Sequence, residues 1–213
     1  SFRDLVRLRR ITDKLNVPLF LKVGGVEAIR DIKDSLEIGV DGLIGPMVES
    51  RFGLKKFVDG VTSIYKDKKI HRSINIETKN VCNARCVMCA IDFDSRPSVT
   101  MKDEVFNKIT DELKKWSMHI EKVNLYLDNE PLLDRSLHLK IKSLKAIGIK
   151  KVAIASNASA LTIKRCEEIV DAGLDEIYIA LDSTDKKVYE SIRVGLSFDR
   201  TILNIRNLLI KYC

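Results

Sequence analysis

Three of the chain's five cysteines fall in one short run, Cys82-Asn83-Ala84-Arg85-Cys86-Val87-Met88-Cys89. Soft thiolates select iron–sulfur clusters or zinc over metals that prefer oxygen. At C-x3-C-x2-C spacing they can hold three irons of a four-iron four-sulfur cluster and leave the fourth open to a chelating ligand, which implies catalysis. Zinc stays open as an alternative. A structural zinc site wants four nitrogen or sulfur ligands, and the remaining candidates Cys166, Cys213 and His71 form no second paired-thiol motif. A disulfide framework fits an odd number of cysteines poorly, and no apolar stretch carries signal-peptide flanks, so a reducing, cytoplasmic setting is expected. Cys166 shares helical spacing with Ile163, Ile169 and Val170 and reads as a small buried hydrophobe. Cys213 is the last residue and receives no role.

The elements that must position this loop read as βα units. Strands are expected at Leu19–Val23, Gly42–Met47, Ser73–Glu77, Lys122–Leu127, Lys151–Ala155 and Glu176–Leu181, short runs rich in Ile, Val and Leu as in buried parallel sheets. Amphipathic helices are expected at Arg3–Leu15, Val26–Ile38, Leu54–Tyr65, Lys102–Trp116, Leu137–Ile147, Ile163–Ala172 and Asp199–Tyr212. Gly39, Gly148 and Gly173 each follow such a stretch and suit left-handed caps, and Thr100 with Asp103 nearly matches a capping box. The fold class is therefore α/β, a parallel (βα)6 curved sheet with outer helices, a partial TIM-barrel-like arrangement. Its catalytic groups should gather at the C-terminal strand ends, and the cysteine loop directly follows the strand at Ser73–Glu77.

Composition sets outer bounds. The 213 residues are 45% hydrophobic and 31% charged, ordinary for a globular protein, and no run approaches the roughly 18 apolar residues of a membrane helix. The net charge of +7 is scattered in pairs such as Lys114-Lys115 and Lys150-Lys151, so solvated helix faces explain it better than a nucleic-acid partner does.

The cysteine run resembles the signature of the radical S-adenosylmethionine (radical SAM) family, and the resemblance spans about residues 73–213. It implies a four-iron four-sulfur cluster on Cys82, Cys86 and Cys89, with S-adenosylmethionine on the open iron. The reduced cluster would cleave that cofactor to a 5'-deoxyadenosyl radical that abstracts hydrogen, with an electron donor such as flavodoxin or ferredoxin. Asp128-Asn129-Glu130-Pro131 looks like the family's Gly-Gly-Glu-Pro segment, making Glu130 the partner of the methionine ammonium. Ser156-Asn157-Ala158 looks like its Thr-Asn-Gly turn, and Ile179-Ala180-Leu181-Asp182-Ser183 like its Ile-Ser-Ile-Asp-Gly strand end, which implicates Asn157 and Asp182. Tyr189-Glu190-Ser191-Ile192-Arg193 matches Tyr-x-x-Ile-Arg, whose arginine can pair with the cofactor carboxylate, and Met88 stands where the family places an apolar residue beside the adenine. The loop version is similar to that of peptide- and sugar-modifying members, which implies a peptide- or sugar-related substrate.

Asp128, Asn129, Ala158 and Ala180 depart from small or hydroxyl residues that contact the cofactor in the family. Up to residue 213 the resemblance is expected to account for four of the six βα units of the family core. Residues 1–70 instead resemble two βα units of an aldolase and citrate lyase type barrel, with Glu27 and Glu49 near strand ends but too few units to assemble that family's metal site. The expected division is thus 1–70, aldolase-like, and 71–213, an incomplete radical SAM core, joined as one continuous sheet. Two other function classes remain, a module that binds a cluster or metal without turnover and an aldolase-like lyase.

Overall fold

A computed structural model describes residues 2–15, 19–22, 29–38, 40–45, 71–93 and 96–212. The expected helix at 54–65, the turn at 66–69, the Gly39 cap, Glu27, Glu49 and Cys213 lie outside the described residues. The chain runs α1 (Phe2–Leu15), β1 (Phe20–Lys22), α2 (Ile29–Ile38), β2 (Gly42–Gly45), β3 (His71–Asn75), β4 (Arg85–Cys86) and α3 (Asp103–Trp116). It continues with β5 (Lys122–Asn124), α4 (Leu137–Ala146), β6 (Lys151–Ser156), α5 (Ile163–Asp171), β7 (Glu176–Ile179), α6 (Lys186–Ile192), β8 (Arg193–Val194) and α7 (Phe198–Tyr212).

All six expected strands join one parallel sheet in the order β1-β2-β3-β5-β6-β7. Side chains alternate between its faces. Ile74 and Ile76, Val123 and Leu125, Val152 and Ile154 occupy one face and are 0% exposed. They share a core with Ile109 and Leu113 of α3, Ile141 and Leu144 of α4, and Cys166 and Ile169 of α5. Each fully buried Ile, Val or Leu contributes about 1.5–3 kcal/mol, so this face fixes the register of helices on sheet. The other face carries polar groups: Asn124 Nδ2 donates to Ser73 Oγ and to Asn75 Oδ1, both at 2.8 Å. At the strand starts, Lys122 Nζ lies 2.5 Å from Glu176 and 2.6 Å from the Tyr178 hydroxyl, with Lys151 3.0 Å from the same carboxylate.

Gly148 and Gly173 follow α4 and α5 with φ of +91° and +90°, the left-handed caps expected of them. The capping box is corrected. Helix α3 begins one turn later than Thr100, with Lys102 at its N-cap and no side-chain cap bond. Thr100 is instead bridged in antiparallel fashion to Lys79, and Met101 N donates to Thr78 O at 2.7 Å, which holds the chain extended up to Lys102. Helix α6 and strands β4 and β8 are additions to the expected pattern. No helix among the described residues is long and apolar enough to cross a membrane.

Candidate active site

The cysteine loop rises from the C-terminal end of β3 and is closed at its base by a clasp. Asn80 N donates to Val99 O at 3.2 Å, Asn80 Oδ1 accepts from Val99 N at 2.7 Å, and Asn80 Nδ2 donates to Pro97 O at 2.9 Å. Beside the clasp lies a cleft of ≈ 330 Å³ lined by Glu77, Lys79, Arg96, Val99, Met101 and Val105. Glu77, its side chain 2% exposed, pairs with Arg96 at 2.9 Å. Burial pushes the Glu77 carboxyl above its ordinary range despite that pairing.

Cys82, Cys86 and Cys89 are free, partly exposed thiols. Backbone Cys89 N donates to Cys86 O at 2.9 Å, which turns the chain back so that both thiols belong to one loop. N–H groups approach the sulfurs. Ala84 N lies 3.4 Å from Cys82 Sγ, Asn157 Nδ2 3.9 Å from the same atom, and Arg193 Nη1 3.4 Å from Cys86 Sγ. Burial pushes the Cys82 thiol up, and the neighbouring Glu130, Cys86 and Cys89 add to the shift. A bound cation reverses that balance, because a coordinating thiol is deprotonated outright.

Among the described residues no three His, Cys, Asp or Glu side chains converge on one point where a single ion could sit. A cubane asks for something different, since each thiolate takes its own corner iron. Three thiols on one turn of chain, with N–H donors aimed at two of the sulfurs, fit that requirement in chemistry.

Glu130 belongs to the loop after β5 and is 1% exposed. Its Oε1 accepts from Ser156 Oγ at 2.7 Å and from Leu132 N at 3.1 Å, while Oε2 accepts from Asn157 N at 2.8 Å. Burial raises its carboxyl nonetheless, with these donors and the more distant charge of Arg193 opposing the shift. Each carboxylate oxygen has two acceptor sites, so Oε1 is filled and Oε2 keeps one.

Asn157, 4% exposed, joins the loops after β3 and β6. Its Nδ2 donates to Asn83 Oδ1 at 3.1 Å, and Asn83 Nδ2 donates to Ser159 Oγ at 2.8 Å. Asp182, after β7, is ion-paired with Arg193 Nε, and the same guanidinium reaches Cys86. Burial pulls the Arg193 pKa down, but Asp182 and Cys86 outweigh it and the net shift is upward. Met88 is 59% exposed and points to solvent at the loop tip. The structure thus brings Cys82, Glu130 and Asn157 into one network and Cys86, Asp182 and Arg193 into another. Sequence reasoning missed Asn83, Ser156 and Ser159 as connectors, although the first two lie inside motifs it singled out and Ser159 directly follows one.

A family model described as the radical SAM superfamily matches residues 76–211. GTP 3',8-cyclase of Limosilactobacillus fermentum is 29% identical over 140 residues, covering 63% of this chain and 41% of that protein. GTP 3',8-cyclase of Listeria monocytogenes is 32% identical over 139 residues, covering 62% and 40%. The chain therefore spans about two fifths of the length of these curated relatives. Among solved structures, methylornithine synthase aligns with a TM-score of 0.52 at 17% identity, over 89% of this chain and 55% of that one. Deoxyribose phosphate aldolase from Aeropyrum pernix aligns with a TM-score of 0.52 at 14% identity, over 84% and 70%. At such identities these two speak for the fold alone.

Proposed function

The chain belongs to the radical SAM superfamily, and on that premise we propose that Cys82, Cys86 and Cys89 hold a four-iron four-sulfur cluster to which S-adenosylmethionine binds. The observation that carries the reading is the convergence of N–H donors from the ends of β6 and β8 on the sulfurs of one loop at the end of β3. Held by Cys82, Cys86 and Cys89, a reduced cluster would supply the electron for reductive cleavage of S-adenosylmethionine, the source of the 5'-deoxyadenosyl radical that would take hydrogen from a substrate.

The chain's own residues bind and orient. Glu130 offers its remaining acceptor site to the methionine ammonium, where a cation offsets the cost of a buried carboxylate. Asn157 holds the Cys82 side of the loop through Asn83, and would stand beside the bound cofactor there. Asp182 and Arg193 hold each other beside Cys86, and Met88 lends an apolar surface to the adenine. A small flavin or iron–sulfur protein such as flavodoxin or ferredoxin would deliver the electron. The name of the curated relatives makes GTP the first substrate to test, ahead of the peptide- and sugar-related class that the loop resemblance implies.

The test is anaerobic reconstitution with iron and sulfide, comparing the wild type with Cys86→Ala. Visible cluster absorbance and 5'-deoxyadenosine release under reductant are expected in the wild type, and both should be lost in the variant. A cluster without cleavage would support a non-catalytic binding module instead.

A further inference from the structure

We propose that the segment Ile192–Leu196 is a built-in clamp on the cysteine loop, and that Arg193 within it is a positioning residue for Cys86 rather than a partner of the cofactor carboxylate. The proposal rests on the reading of Cys86 as a cluster ligand. Four observations carry it.

First, β4 and β8 pair antiparallel with Cys86 opposite Arg193 and Arg85 opposite Val194, and Val87 N extends the pairing to Ile192 O at 3.0 Å. Second, the clamp turns sharply: Leu196 N donates to Arg193 O at 3.0 Å with Gly195 at φ +90°. That is the i+2 position of a turn that needs positive φ. A Cβ added to Gly195 would sit 3.4 Å from Asn83 O, so the turn also lies directly against the cysteine loop. Third, a small core separate from the main one joins the two segments. Ala84, Tyr189 and Leu196 are buried there, with Cys82, Cys86, Leu181 and Phe198 packed on them. Its centre is fixed by the edge-on Tyr189 and Phe198 rings at 5.4 Å and by the Tyr189 hydroxyl at 3.1 Å from Thr201.

Fourth, the Arg193 guanidinium is already committed. Nε is paired with Asp182 and Nη1 reaches Cys86 Sγ at 3.4 Å, which uses two of its five donors and fixes the plane of the fork. A donor held against a ligand sulfur, with a positive charge beside it, shifts cluster potential upward and orients the thiolate. The clamp thereby presents the loop in its ligating shape before metal arrives.

Two measurements test this. In metal-free protein, Gly195→Val should speed backbone hydrogen exchange across residues 82–89 by about tenfold or more, while β5 and β6 exchange as in the wild type and report an intact fold. Arg193→Gln should speed exchange at residues 85–87 in the same way. In reconstituted protein without S-adenosylmethionine, Arg193→Gln should move the cluster midpoint potential to a more negative value in a redox titration followed by electron paramagnetic resonance. Arg193→Lys, which keeps the charge, should recover part of that shift. Unchanged exchange and unchanged potential in the Arg193 variants, together with weaker S-adenosylmethionine binding, would return Arg193 to the cofactor carboxylate and overturn the proposal. If the wild type assembled no cluster, the reading of Cys86 as a ligand would fall, and the exchange data alone would decide the clamp: acceleration upholds it, and its absence overturns it.

Discussion

Three donors from two loops, Leu132 N, Ser156 Oγ and Asn157 N, depend on the single carboxylate of Glu130. Removing it as Glu130→Ala takes the acceptor from all three, leaving the two N–H groups unpartnered and the Ser156 hydroxyl with only its bond from Ala158 N, at about 1–3 kcal/mol for each donor that finds no water. We expect a loss of about 3 kcal/mol in urea unfolding, beyond any loss of cofactor affinity. The pH dependence has a definite sign. Burial raises this carboxyl above its ordinary 4.5, so its contribution is fully present below the unfolded pKa and declines as pH rises through the folded pKa. The stability gap between wild type and variant should therefore narrow with rising pH from about 4.5 upward, and a gap that widens would refute the assignment. Asp134 has the opposite sign. Burial would raise it, but Lys140 at 2.6 Å prevails and the net shift is down, so its contribution is lost as pH falls below the ordinary 3.8. Both acids were visible in the Asp-Asn-Glu-Pro-Leu-Leu-Asp segment. Glu130's burial and the Lys140 partner were not, because each depends on how the loop folds back onto α4 and β6. Ala158 was legible as a turn position normally given to glycine, and it does adopt φ +58° with its methyl fully buried.

Strands were readable where one face is aliphatic. Ile74, Val123, Val152 and their neighbours made six recognisable runs, and all six pair as expected. Their ends were less readable, because polar positions alternate with the core ones. β5 ends at Asn124 rather than Leu127, and β3 runs from His71 to Asn75 rather than from Ser73 to Glu77. Helix α6 escaped notice because it has only seven residues, although Asp185 caps it by accepting from Val188 N at 2.9 Å. β8 left no local signature at all, since its partner Cys86 lies far back in the chain and the pairing is two residues long. One element-scale feature can be tested through its charges. Lys122 and Lys151, the first residues of β5 and β6, together with Tyr178 of β7 form a belt that holds the carboxyl of Glu176, the first residue of β7, down to about 2. A depressed acid stabilises the fold above its unfolded pKa and loses that contribution as pH falls through the folded one. The belt is partly exposed, so solvent screening limits its worth to about 1 kcal/mol. Glu176→Gln should cost that amount at pH 7 and should flatten the acid limb of the stability curve between about 4.5 and 2. An acid limb identical to the wild type would mean that the belt contributes nothing.

At the scale of the whole chain, strands from two stretches of different resemblance lie in one sheet. β2 pairs with β3 in parallel over four positions, from Gly42 opposite His71 to Gly45 opposite Ile74. β1 pairs in turn with β2, and Leu19 and Val40 share the core of the later helices. This supports a proposal that residues 1–70 and 71–213 fold as one unit, the first stretch supplying the edge strands beside β3. The resemblances in the sequence place the proposed seam at 70–73. Whether strands would pair across it was not legible, because parallel pairing is set by packing of both faces and carries no local code. Removing residues 1–70 would turn β3, which carries the cysteine loop, into an unprotected edge strand and uncover the core surface that Leu19 and Val40 cover. We expect the fragment 71–213 to lose about 3 kcal/mol or more in urea unfolding followed by the fluorescence of Trp116, the chain's one tryptophan, and to self-associate through the new edge. Equal unfolding midpoints for fragment and whole chain would show instead that the radical SAM part stands alone and that the first two strands are an appendage to its sheet.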